Sequence, residues 1–135
     1  MEQLDLVGLL RAMQKLERNM SVSLMYSGLR IPQFRLLDLL ADRGQATVTE
    51  MSQLLHITRA SASVLINELI RSGIVAVVEN ESDRRSFHIR LTDLGRNKLH
   101  VARNDTAVLR EKMSQRFAPE AIALLNEFAR TMDVK

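Results

Sequence analysis

Apolar positions change their spacing several times along this chain, and each change marks an element. Between Asp5 and Ser27, Leu6, Leu9, Leu10, Met13, Leu16, Met20 and Leu24 recur at steps of three and four. That spacing predicts one long amphipathic helix over about 5–27. Pro32 suits the first turn of a second helix, which runs through Phe34, Leu37, Leu40 and Ala41 to about Asp42. Arg43-Gly44-Gln45 is then a loop. Thr47 and Glu50 have capping-box spacing at the start of a short helix, whose apolar side is Met51, Leu54 and Leu55. His56-Ile57 is brief enough to require a tight turn. Thr58 is a good N-cap for the next helix, and Gly73 a good residue just past its end. Between them Ala62, Leu65, Ile66 and Leu69 form one stripe to bury. Two helices joined this closely have helix-turn-helix geometry.

After Gly73 the period changes from helical to alternating. Ile74 to Val78 is β-branched and favours a strand. Glu79 to Asp83 is a polar turn. Phe87, Ile89 and Leu91 alternate with His88 and Arg90, as in a half-buried strand. Two strands around a tip ending in Asp83-Arg84-Arg85 make a basic β-hairpin, a wing. Thr92 then caps a long helix, with Asp93 at its positive end. Leu99, Ala102, Thr106, Leu109, Met113 and Phe117 step along it by three and four. Pro119-Glu120 opens a last helix, with Ile122, Leu125, Phe128 and Met132 on one side. The fold class predicted is mainly α with a small β-wing. A winged helix-turn-helix lobe over about 29–91 is flanked by helices at about 5–27 and 93–133, in one domain of 135 residues.

The flanking helices carry more apolar surface than a small winged-helix core can cover. A two-fold homodimer is the economical solution, because it buries the same stripe on both subunits. The residues expected at that interface are Leu6, Leu9, Leu10, Met13, Leu109, Met113, Phe117, Ile122, Leu125 and Phe128.

Composition narrows the classes. There is no cysteine, which excludes disulfides, thiolate zinc sites and thiol sensing. His56, His88 and His100 fall on different elements without ligand spacing, so no metal is expected. Neither HExxH, G-x-S-x-G nor a phosphate-binding glycine loop occurs, so neither an enzyme nor a cofactor is expected. The absence of a signal-like layout or a long uncharged run makes a cytoplasmic, membrane-free protein the simplest expectation. Net charge is only +3. Its distribution is more telling: Arg84, Arg85, Arg90, Arg96, Lys98 and Arg103 face the single acid Asp93 over 84–103.

The outward side of the second helix of the pair presents Arg59, Ser61, Ser63, Val64, Asn67 and Arg71. Short side chains allow close approach to a groove, and Ser, Asn and Arg can bond base edges or phosphates. Ser61 and Ser63 are expected nearest the bases, while Arg59 either reads a guanine or holds a phosphate.

The stretch as a whole resembles the MarR family of bacterial winged-helix transcription regulators. The likeness rests on Thr47-x-x-Glu50-Met51, on Thr58-Arg59-Ala60-Ser61 and on Gly73-Ile74-Val75. Its most specific part is Asp83-Arg84-Arg85 followed by Leu91-Thr92-x-x-Gly95. The resemblance implies double-stranded DNA as partner, a homodimer, and Thr58, Arg59, Ser61, Ser63, Val64 and Asn67 at the DNA. It also implies Arg85 in a minor groove, Asp83 holding it by an ion pair, and Arg84 at the backbone. A small aromatic or anionic effector is implied too, in a cleft lined by Met13, Met20, Met25, Tyr26, Arg30 and Phe34.

Three positions depart from the family pattern. Val64 stands where a basic or polar residue is common, and either touches a thymine methyl or is merely exposed. Asn67 stands where an acid is frequent, and Ile70 replaces a usual glutamate. The expected function is a repressor that binds a pseudo-palindromic promoter site as a homodimer, and the resemblance implies release by a small-molecule ligand. A weakly specific architectural DNA binder and a winged-helix protein-interaction module are the alternatives.

Overall fold

A computed structural model describes residues 2–78 and 87–132. Its first helix, α1, runs Leu6–Ser23, with the Asp5 carboxylate accepting from the Gly8 N–H at 3.0 Å. It stops before the periodicity does. The Ser27 hydroxyl donates to the Leu24 carbonyl at 2.6 Å and accepts from the Leu29 N–H at 3.2 Å. Residues 24–28 are therefore a turn that buries Leu24 while reversing the chain. Helix α2, Ile31–Arg43, has Pro32 in its first turn. There a missing N–H costs nothing, since the first N–H groups lack intrahelical partners.

The sheet differs from expectation by one strand. Ala46–Thr47 is a short β1, followed by α3 (Val48–Leu55), α4 (Arg59–Arg71), β2 (Val75–Val78) and β3 (His88–Leu91). The order is β1-β3-β2, all antiparallel, with Ala46 opposite Ile89 and Val77 opposite Ile89 on the other side. A two-residue strand has no period of its own, so only its pairing with β3 reveals it. Ile89 and Leu91 are buried while Arg90 is exposed, as alternation predicts.

One core joins these elements. Leu36, Leu37 and Leu40 of α2, Met51 of α3, Ile66 and Leu69 of α4, and Ile89 of β3 are fully buried. Helix α5, Asp93–Arg116, adds Leu99 and Ala102 to it. Beyond Thr106, α5 contributes no buried residue, and α6 (Pro119–Thr131) contributes none. Phe117 lies just past α5 in an extended conformation, so the helical seam ends before it.

The apolar positions of α1, the far half of α5 and α6 consequently face outward. Leu6, Leu10, Met13, Phe117 and Leu125 are exposed, and Leu9, Leu109, Met113, Ile122 and Phe128 are half-buried. Among the described residues no helix is long and apolar enough to cross a membrane.

Candidate nucleic-acid interface

The helix pair is positioned by local hydrogen bonds that its residue types dictate. At the start of α3 the Thr47 hydroxyl accepts from the Glu50 N–H at 3.1 Å, and the Glu50 carboxylate accepts from the Thr47 N–H at 3.3 Å. Arg43, at the end of α2, pairs with that same carboxylate. The α3–α4 turn is made by His56, whose φ of 55° is left-handed. The Ile57 N–H then reaches back to the Ser52 carbonyl at 3.0 Å. Thr58 caps α4 by accepting from the Ser61 N–H at 3.1 Å.

The same contacts displace the pKa of Glu50. The Thr47 backbone N–H holds its carboxyl below the ordinary value; desolvation opposes this, and the Thr47 hydroxyl and Arg43 add further lowering. A lowered folded pKa means that the charge stabilises the fold above the unfolded value. This contribution is lost as pH falls through the lowered one. Glu50→Gln is therefore expected to be less stable than the parent near neutral pH. In denaturant titrations the gap should close as pH drops below the ordinary glutamate range, about 4.3. A gap that does not change with pH would rule out the charge as its cause.

The far end of α4 is tied to α5. The Ile74 N–H donates to the Leu69 carbonyl at 2.9 Å and the Gly73 N–H to the Ile70 carbonyl at 3.0 Å, a Schellman pair that requires the left-handed φ of 73° at Gly73. Thr92 then reaches across. Its hydroxyl lies 2.6 Å from the Gly73 carbonyl and 3.0 Å from that of Ile74, and accepts from the Gly95 N–H at 3.1 Å. Gly95 packs against the Ile74 carbonyl so closely that a β-carbon would overlap the oxygen and sit 3.1 Å from the carbon. The sequence predicts only a cap at Thr92. The structure adds the clamp, which explains why Leu-Thr-x-x-Gly follows the wing.

Held at both ends, α4 buries Ala62, Leu65, Ile66 and Leu69 and turns its other side outward. Thr58, Arg59, Ala60, Ser61, Val64, Asn67 and Arg71 are exposed, and Ser63 is half-buried. The ridge opposite the buried stripe is Ala60, Val64, Asn67 and Arg71, at steps of four and three. Ser61 and Ser63 flank it, and the Ser61 oxygen accepts from the Thr58 hydroxyl at 2.9 Å. Ala60 is the residue that reading by polarity passed over, although its place opposite Leu65 and Leu69 follows from helical spacing alone. Val64 is 60% exposed at the middle of this ridge.

Asp83, Arg84 and Arg85 lie outside the described residues. The other bases of the 84–103 segment are spent largely on the scaffold. Arg96 pairs with Asp93 and donates to the Leu91 carbonyl at 3.1 Å. Lys98 donates to the Ser27 carbonyl at 3.0 Å. Arg103 pairs with Asp38 at 2.8 Å and lies 3.8 Å from Asp42, joining α5 to α2. Two acids from α2, Asp38 and Asp42, thus share this surface of α5 with Arg103. Sequence order places only Asp93 among these bases, whereas folding brings in Asp38 and Asp42.

The residues expected to line an effector cleft are not gathered into one site. Met25 and Arg30 border a groove of about 370 Å³ at the α1–α2 turn. Phe34 instead packs against the core, Met20 is half-buried, and Met13 and Tyr26 are exposed, Tyr26 by 92%. Arg30 pairs with Glu68 of α4 at 2.7 Å. His56, His88 and His100 remain on separate elements, at the end of α3, on β3 and on α5.

Comparison with known proteins agrees with this architecture. The sequence model of the MarR family matches residues 27–86. No curated protein sequence matches the chain. Among solved structures, a cysteine-to-serine mutant of MarR from E. coli complexed with operator DNA has a TM-score of 0.82 at 19% identity, covering 97% of this chain and 100% of that one. The transcriptional regulator PA4135 has a TM-score of 0.80 at 24% identity, over 96% of each chain. The YusO protein from Bacillus subtilis has a TM-score of 0.69 at 19% identity, over 93% of this chain and 89% of that one. Residues 27–86 thus match the model of the MarR family, and the chain as a whole takes the winged-helix fold seen in MarR itself.

Proposed function

We propose that this protein is a sequence-specific DNA-binding transcriptional regulator that acts as a homodimer. The observation that carries the reading is the outward face of α4. It is a ridge of small and polar side chains with Arg59 near one end and Arg71 at the other, on a helix clamped at both ends. Such a ridge enters a major groove without steric conflict, and its rigidity lowers the entropy lost on docking. The fold likeness to a MarR bound to operator DNA supports the same assignment.

The exposed apolar stripes of α1, α5 and α6 support the homodimer. Two copies of α4 related by a two-fold would meet a pseudo-palindrome whose half-sites are about 34–36 Å apart. Occupying a promoter in this way blocks polymerase, which makes repression the expected sign. A small ligand that prefers the dimer with mis-spaced recognition helices would release it.

Selection from a random duplex library at near-physiological salt tests the proposal. An enriched palindrome is the expected result. Salt-sensitive binding without enrichment would assign an architectural role, and no retained DNA would favour a protein partner. At the selected site Arg85→Ala is expected to weaken binding by roughly tenfold or more, the cost of losing one charge-assisted contact. The sedimentation of the free protein should not change. Unchanged affinity in a titration by gel shift would remove Arg85 from the interface.

A further inference from the structure

The middle of the α4 ridge is apolar, and we infer that it makes the protein specific for an A·T pair in each half-site, with the thymine C5-methyl group packed against Val64. The inference rests on the DNA-binding reading above and adds the base that the ridge selects. Val64 is 60% exposed, and lies outside both the core and the partly buried apolar groups packed against it. A β-branched side chain loses χ1 freedom in a helix, and burial does little to offset that loss at Val64. Ala60 stands one turn earlier on the same ridge, so the methyl groups of the two residues line up along it.

Each base presents its own chemistry in the major groove. Guanine offers two acceptors, which call for an arginine or a lysine, and cytosine offers a donor, which calls for a carboxylate. Between Arg59 in the first turn and Arg71 in the last, the ridge is Ala60, Val64 and Asn67, which supply neither. Glu68, the only acid of α4, is paired with Arg30 at 2.7 Å. Ser61 and Ser63, beside the ridge, can bond any base edge and so do not choose. A G·C pair against Val64 would surrender water from its polar edge to a side chain with no donor or acceptor. The thymine methyl loses water there without losing a hydrogen bond. Asn67 lies three residues further on, about 4.5 Å along the helix, against a rise of about 3.4 Å per base pair. Its amide therefore reaches the same pair or the next, and carries the donor and the acceptor that adenine N7 and N6 require.

The test uses the full chain and the duplex enriched from the random library. Each thymine of one half-site is replaced in turn by deoxyuridine, which removes the methyl group and keeps the base pair. Affinity is read by fluorescence anisotropy at fixed salt. One replacement is expected to weaken binding about fourfold, the effect of one buried methyl group. Val64→Ala should weaken binding to the thymine duplex and be indifferent to that uracil, so that the two changes together cost little more than either alone. With C·G in place of that pair, 5-methylcytosine should bind about fourfold better than cytosine. Thermal unfolding of Val64→Ala should match or exceed that of the parent, since the site is exposed and alanine favours a helix. If a duplex is bound specifically but no uracil changes its affinity, or if Val64→Ala leaves the uracil effect in full, the inference fails while the DNA-binding reading stands. A library from which no duplex is enriched would overturn both.

Discussion

Gly95→Ala is expected to destabilise the protein by about 3 kcal/mol, the upper end of the usual cost of inserting a methyl group into a packed site. The added carbon would overlap the Ile74 carbonyl oxygen and stand 3.1 Å from its carbon and 3.3 Å from Ile74 Cγ2. Two of these neighbours are backbone, and cannot swing aside as the end of a long side chain could. Relief would require α5 to move off the α4–β2 junction. That movement would strain the Thr92 hydroxyl contacts to Gly73 and Ile74 as well. In chemical denaturation at fixed protein concentration the midpoint should fall with little change in slope. The conformation of Gly95 itself is helical, so helix propensity alone predicts the opposite, a gain of up to about 1 kcal/mol from Gly to Ala. The sign of the change thus decides between the close approach and the propensity. A stabilised Gly95→Ala variant would show that α5 is not pressed against Ile74.

Ala60→Glu is expected to reduce affinity for the selected duplex by roughly 100-fold, close to 3 kcal/mol, while the fold is unchanged or slightly stabilised. Ala60 lies on the exposed ridge of α4, in the first turn of the helix. An acid there interacts favourably with the positive end of the helix dipole, so folding gains. The same acid meets a polyanion if α4 docks in a groove, and it adds bulk where only a methyl group stood. Ala60→Gln has nearly the same size without the charge, and should lose much less. Affinity would be read by fluorescence anisotropy at two salt concentrations, with circular dichroism to follow helix content. If Ala60→Glu binds as the parent does, α4 is not the element that faces DNA, and the proposed function fails at its central point.

Much of the architecture was legible along the chain because it rests on local chemistry. The caps at Thr47, Thr58 and Thr92 and the left-handed Gly73 involve residues only a few positions apart. Helical and alternating periods likewise decide which side of α4 and β3 is buried, since the backbone repeats of 3.6 and 2 set the direction of each side chain. From these follow the winged helix-turn-helix pattern and the outward placement of Arg59, Val64 and Asn67. Strand β1 was not legible, because Ala46 and Thr47 become a strand only by pairing with Ile89 and His88.

The tertiary structure alone decided what distant residues do for one another. It joined Arg30 to Glu68 and Arg103 to Asp38, and so converted bases that looked free in the sequence into struts of the scaffold. It also set Gly95 against Ile74, and gathered Glu17 and Met25 at one groove while leaving Phe34 in the core. The physical reason is one of range. Capping and periodicity act within a helical turn or along a strand, where chain order is a map of space. Charge pairing and close packing act through distances that only the folded chain makes short.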